Sequence, residues 1–369
     1  MKYYLMPLVL LIYINLFSQA VTLPERKISP VSGAFSGAKI PAAVSGIKII
    51  QACPDSLTLG YVPAGSGNET SKLVAVDKNG NWLNTWISQR YSSNFKTNGS
   101  HLLWLLKDLS ITTDTSGSYH FTHIRADIYK TATSKSYRKI VLVDTVLTGS
   151  VADSNSYAAG LTEALDALYT ISLTVLYNES QGNANILQQA SGEPASQTEE
   201  LIKAKISADY LQAILTDTLY HAGAYASISE FIHNTPSITS PIWAQPDTLS
   251  GSGHVTILTM GQDSIVHPLT SVWGVCFGGR ELYKFEQGKL LPIEKVGNGF
   301  VLSRYQEPVV RKNQAFYWRR VMANGWPNDT NPFGRDQTVT VNENKSAGFP
   351  AGRLPVATRI DLSTGELTF

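Results

Sequence analysis

Three strand patterns in succession, joined by short turns, constrain this chain more than any other feature. "HLLWLLKDLSI" from His101 is almost continuously apolar, the mark of a central strand buried on both faces. "YHFTHIRADIYK" from Tyr119 alternates, with Tyr119, Phe121, His123, Arg125, Asp127 and Tyr129 on one face and His120, Thr122, Ile124, Ala126 and Ile128 on the other. "RKIVLVDTVLTG" from Arg138 is enriched in β-branched residues. A long helical pattern follows, in which Leu161, Leu165, Leu168, Ser172 and Val175 recur at spacings of three and four, with Ser156 placed to cap it. Ahead of these lie two short strand patterns, "IKIIQACP" and "LTLGYVPAG", and a helix starting near Trp82 with Asn81 as its N-cap.

Strands followed by a helix predict an α+β, sandwich-like module over residues 47–180. The polar stretch 181–204, "QGNANILQQASGEPASQTEE" and its continuation, reads as a linker. From 205 to 321 turn signals recur about every ten residues, so a mainly antiparallel β-meander or partial barrel is expected. Its clearest part is "VWGVCFGGRELYKFEQGKLLPIEKVGNGF", where Gly-Gly and Gln-Gly stand at the turns. Residues 322–355 are rich in Gly, Pro and Asn and read as irregular, and 356–369 as a returning C-terminal strand. The overall fold class is therefore α+β.

The N-terminus supplies an address. "MKYYLMPLVLLIYINLFSQA" has one lysine, an apolar run of about ten residues, and small residues before a cleavage site after Ala20. The run is shorter than the ~20 residues that span a bilayer. Residues 1–20 read as a signal peptide and 21–46 as a flexible leader. The expectation is an exported chain, periplasmic, outer-surface or extracellular, with no transmembrane segment after cleavage. Charged residues make up only 16% and the net charge is +1, with no basic block. Nothing here would release counterions from a phosphate backbone, so no nucleic-acid partner is expected. Cys53 and Cys276 lie in apolar strand patterns and read as buried free thiols rather than a disulfide.

The C-terminal motifs carry a resemblance. These are Gly223-x-Tyr225-x-Ser227 running on to Glu230-Phe231 and Asn234-x-Pro236-Ser237, then Trp273-Gly-Val-Cys276 continuing through Arg280 to Tyr283, then Asp361-x-x-Thr364-Gly365-Glu366. Together they resemble uncharacterised secreted proteins of Bacteroidota, over roughly 220–305 and the last dozen residues. Phe277 departs from the polar residue expected before the Gly-Gly turn. The resemblance implies a secreted envelope protein and brings no activity, cofactor or catalytic residue with it.

No catalytic constellation emerges from the residues. His120 and His123 are three apart on a strand, so they point to opposite faces and cannot readily chelate one metal. "DTSG" at Asp114–Gly117 reads as a turn, and no Gly-x-Ser-x-Gly elbow is present. Cys276 has no adjacent charge that would activate it. Arg319-Arg320 beside Tyr317-Trp318 read as a strand-end pair. The best ligand candidates are the polar stripe Tyr119, His123, Arg125 and Asp127, a pattern that is more often the solvated or helix-covered side of a sheet. No cofactor and no metal are expected. The leading expectation is a non-enzymatic binding or assembly protein of the cell envelope, acting on another envelope protein or a glycan. One alternative is a hydrolase of glycans or envelope components, for which Asp108, Asp127 and Asp144 on successive strands would have to converge. The other is a carbohydrate- or small-ligand-binding module that uses Trp82, Trp86, Trp243 or Trp326.

Overall fold

The computed structural model describes residues 23–37, 40–53, 55–64, 70–76, 81–114, 116–133, 136–181, 197–209, 211–247, 254–261, 264–286, 288–302, 338–339 and 355–368. The first unit opens with β1 (Glu25–Ile28), β2 (Val44–Gln51), β3 (Thr58–Pro63), β4 (Thr70–Ala75) and α1 (Trp82–Tyr91). The three long strands β5 (Ser100–Thr113), β6 (Tyr119–Thr133) and β7 (Ser136–Ser150) follow, and then α2 (Ser156–Ser180), β8 (Gln197–Thr198) and α3 (Glu199–Asp209).

These strands form one curled, mixed sheet in the order β1-β4-β3-β5-β6-β7, shaped as a half-barrel. The β5–β6–β7 meander is antiparallel. On its other side β5 is shared: β2 runs parallel to its first half, and β3 meets it at Gly60 opposite Ile111. Gly60 has φ +153°, and a Cβ there would sit 1.8 Å from the Ile111 carbonyl oxygen, so only glycine allows this junction. At the far edge the two-residue strand Thr338–Val339 runs parallel to β7.

The inner face of the sheet packs on α2. Leu161, Leu165 and Leu168 are buried among Trp104, Ile124, Ala126, Val141 and Val143, and the indole of Trp104 donates to Ser172 Oγ at 3.2 Å. The spacing of these leucines was sufficient to place the helix. Its start differs in detail from the expectation. Ser156 is the first helical residue, and the Asp153 carboxylate accepts from the amides of Asn155 and Ser156. Asn81 likewise makes no side-chain cap to α1.

Two boundaries differ from the sequence reading. The expected leader 21–46 is anchored at described residues: β1 pairs with β4, Ile28 is buried, and the Phe35 ring meets Tyr91 and Tyr169 edge-on. Their Pro, Gly, Ser and Ala content masked these anchors. The end of the expected linker also belongs to the first sheet. Gln197 pairs with Tyr137, and Ile202 of α3 is buried beside Leu103, Leu105 and Tyr129. Residues 182–196, 322–337 and 340–354 fall outside the described residues, as do residues 1–22, where the signal peptide was expected.

The second unit comprises α4 (Ala213–Thr216), β9 (Gly223–Tyr225), α5 (Ile228–Ile232), β10 (Ile242–Pro246), β11 (Val255–Met260), β12 (Val266–Pro268), β13 (Gly274–Phe277), β14 (Glu281–Glu286), β15 (Lys289–Val296) and β16 (Gly299–Leu302). After β17, the Thr338–Val339 strand of the first sheet, come β18 (Arg359–Ile360) and β19 (Leu367–Thr368). The meander is antiparallel throughout, in the order β19-β18-β16-β15-β14-β13-β9, with β10-β11-β12 as a separate three-stranded sheet. Gly278 and Gly279 take φ +61° and +77° at the β13–β14 turn, the left-handed conformation that a tight hairpin requires. Tyr225, Phe231, Cys276, Leu282, Ile293 and Phe300 fill one face, joined by Ile360 and Leu367 from the C-terminal hairpin. Ser227 caps α5 by accepting from the Glu230 amide. The architecture is thus α+β, with strand exceeding helix. Both thiols are free, Cys276 buried and Cys53 half-buried.

Candidate functional site

A single extra residue in β5 creates the polar cluster. Leu102, Trp104 and Leu106 face α2, and so do Leu109 and Ile111. The inward phase switches from even to odd positions because Lys107 is bulged out of register between Leu106 and Asp108. Without the bulge, Asp108 would point into the apolar core. With it, Asp108 stands opposite Arg125 on the outer face, where Asp144 of β7 also pairs with Arg125.

His123 lies between the two carboxylates. Its Nδ1 is 3.0 Å from Asp108 Oδ2 and its Nε2 is 2.7 Å from Asp144 Oδ1. Two carboxylate acceptors require both ring nitrogens to donate, so the ring is an imidazolium. Burial alone would lower its pKa. The hydrogen bonds and charges of Asp108 and Asp144 outweigh that effect and raise it to about 10. The same balance operates in reverse on the carboxylates. Burial pushes Asp108 and Asp144 up, but the bonds and charge of His123 hold both below the ordinary aspartate range, aided by Arg359 at Asp108 and Arg125 at Asp144.

The C-terminal hairpin closes this face. Arg359 of β18, itself buried, donates to Asp108 Oδ1 at 3.1 Å and to the Thr58 carbonyl at 2.8 Å. Asp361 approaches Arg125 at 3.6 Å, and Arg125 lies 3.6 Å from Asp144, ion-pair distances beyond hydrogen-bond reach. Just upstream, the Val356 amide donates to the Thr113 carbonyl and Thr112 Oγ1 donates to the Val356 carbonyl. Three carboxylates, those of Asp108, Asp144 and Asp361, therefore face three cations, those of His123, Arg125 and Arg359.

The sequence-derived candidates separate. His123 and Arg125 are in the cluster. Asp127 is two positions further along the same face and is nearly fully buried between Lys107 at 2.7 Å and Lys139 at 3.0 Å. Tyr119 is four residues before His123, about 13 Å along the strand, with its amide bonded to Asp114 Oδ1 in the expected "DTSG" turn. The residues missed were Arg359 and Asp361. Asp108 and Asp144 were noted as carboxylates but not as partners of a histidine. The phase switch in "LLWLLKDLSI" was the available signal for Asp108.

The other titratable groups nearby are not poised for chemistry. Cys53 donates to the Leu106 carbonyl at 3.5 Å, and burial, followed by the charge of Asp108, pushes its thiol well up, away from the nucleophilic thiolate. His120 lies on the opposite face, under α2 against Gly149 and Gly160, and burial lowers its pKa to about 4. Among the described residues no group of three or more His, Cys, Asp or Glu could hold a metal ion. Asp108 and Asp144 do converge, but the imidazolium fills the space between them where a glycosidase would hold its substrate. Trp82 and Trp86 are buried, which removes them as sugar-stacking platforms. Trp243 is half-buried, and Trp326 and the Arg319-Arg320 pair lie outside the described residues.

No family model and no curated protein sequence matches this chain. Among solved structures, the chain is similar to the crystal structure of a protein from Xanthomonas campestris described as DUF330, at 11% identity and a TM-score of 0.31, over 43% of this chain and 99% of the other. Among the described residues no helix is long and apolar enough to cross a membrane.

Proposed function

We propose that this chain is an exported cell-envelope protein that acts by binding or assembly rather than by turnover, with another envelope protein as partner. One observation carries the reading. The His123 cluster is neutralised within the chain, with Arg359 and Asp361 tying the C-terminal hairpin to the first sheet. Such an arrangement provides a stiff joint and offers no free general base. The charge-poor composition and the signal-like first twenty residues support export. Crosslinking of the chain in native envelope, followed by affinity recovery and mass spectrometry, tests the proposal. A stoichiometric envelope partner is expected; turnover of an envelope glycan by the purified protein, with no partner recovered, would overturn it.

A further inference from the structure

A second feature lies apart from the charged cluster. Beside the start of α2 a cleft of about 550 Å³ opens, lined by Arg26, Ser71, Ser116, Asp153, Ser154 and Tyr157 among others. Strand alternation puts Arg26 there: in β1, Arg26 and Ile28 turn inward while Glu25 and Lys27 are exposed. The guanidinium lies 5.2 Å from the centroid of the Tyr157 ring. Among the described residues Arg26 forms no ion pair. The ring face offsets part of the cost of a half-buried cation, but it satisfies none of the five N–H donors of a guanidinium.

The neighbouring groups define what could meet that cation. The α2 start is already capped. Asp153 Oδ1 accepts from the Asn155 and Ser156 amides, and Ser156 Oγ accepts from the Ala152 and Asp153 amides. The cleft's attraction for an anion therefore rests on Arg26. A carboxylate matches a guanidinium as a two-pronged acceptor. The Asp153 carboxylate in the same wall disfavours a second negative charge, which makes a phosphate dianion a poorer fit. Its remaining oxygen and the hydroxyls of Ser71 and Ser154 are suited to hydroxyl groups on the same ligand. The volume lies within the usual range for small-molecule sites.

We infer that this cleft binds a small hydroxylated carboxylate of the acidic-sugar class, with its carboxylate on Arg26 and its hydroxyls on Ser71, Ser154 and Asp153. The inference goes beyond the assembly reading and does not depend on any protein partner. Calorimetric titration of residues 21–369 with D-glucuronate, D-glucose and inorganic phosphate tests it. Saturable millimolar or tighter binding of glucuronate is expected, with glucose and phosphate at least about tenfold weaker. Arg26→Gln should weaken glucuronate at least about tenfold, and Arg26→Lys should retain part of the binding as a point charge. Ser154→Tyr, which fills the cleft from its exposed rim, should abolish binding and serves as the test if the Arg26 variants fail to fold. Equal affinity for glucuronate and glucose, no saturation in the millimolar range, or an unchanged titration in a folded Arg26→Gln or Ser154→Tyr protein would overturn the assignment. A crosslinked protein partner would stand or fall separately, because its recovery does not involve glucuronate.

Discussion

Arg359 and Asp108 are 251 residues apart in sequence and meet at 3.1 Å, joining the C-terminal hairpin to the central strand of the first sheet. Both are largely shielded from water, with side-chain exposures of 9% and 16%. Removing one partner leaves a charge without compensation in a low-dielectric site. Arg359→Ala is therefore expected to cost about 2–4 kcal/mol. In a double-mutant cycle with Asp108→Asn, measured by urea unfolding, the coupling should exceed about 1 kcal/mol. Additive effects would show that the contact contributes nothing to stability.

The pH dependence follows from His123 and its carboxylates. A histidine whose folded pKa is raised contributes stability that is fully present below its unfolded value near 6.5 and is lost as pH rises through about 10. Asp108 and Asp144 have lowered pKa values, so their contribution is present above the ordinary aspartate value and is lost as pH falls below it. His120 adds a separate acid limb, because its lowered pKa costs stability as pH drops from about 6.5 towards about 4. Melting temperature against pH should decline on the alkaline side towards pH 10 in the parent. That decline should be absent in His123→Gln, and a parent-like alkaline limb in the variant would assign the decline to other groups.

Gly60 offers a steric test. A Cβ there meets the Ile111 carbonyl oxygen at 1.8 Å, whereas a Cβ on Gly278 meets nothing within 4 Å. Gly60→Ala should cost at least about 2 kcal/mol, and Gly278→Ala about 1 kcal/mol, the ordinary penalty for a left-handed residue. Urea midpoints of the two variants decide the point, and equal losses would contradict the close junction of β3 with β5.

Deleting Lys107 removes the bulge that turns Asp108 outward. A one-residue slip reverses the facing of everything beyond it. The deletion should therefore bury Asp108 and expose Leu109 and Ile111, and loss of the cooperative thermal transition is expected. Lys107→Ala keeps the extra residue and should keep the transition. A cooperative melt in the deletion variant would mean that the bulge had relocated.

Local patterns were legible in the sequence, and the joint between the units was not. The alternation of β6, the leucines of α2 and the glycine turns of the meander each declare themselves within a few residues. Ile28, at the end of the β1–β4 pairing, and Phe35, which packs on Tyr91 and Tyr169, are two anchors in a Pro-, Gly- and Ser-containing stretch that does not look like a strand. His123, Arg125 and Asp127 were seen as a stripe, but a stripe does not reveal its cover. Arg359 and Asp361 are remote in sequence, and a short "TRIDLSTGE" segment carries no periodicity that says which surface it will meet.

The C-terminal hairpin also bears on the order of events during synthesis. Ile360 and Leu367 complete the core of the second unit, while Arg359 neutralises Asp108 in the first. Until residues 359–367 have been made, one unit has an open core and the other an incompletely countered carboxylate. Both must wait for contacts of long sequence separation, which close slowly and leave apolar surface open to misassociation in the interval.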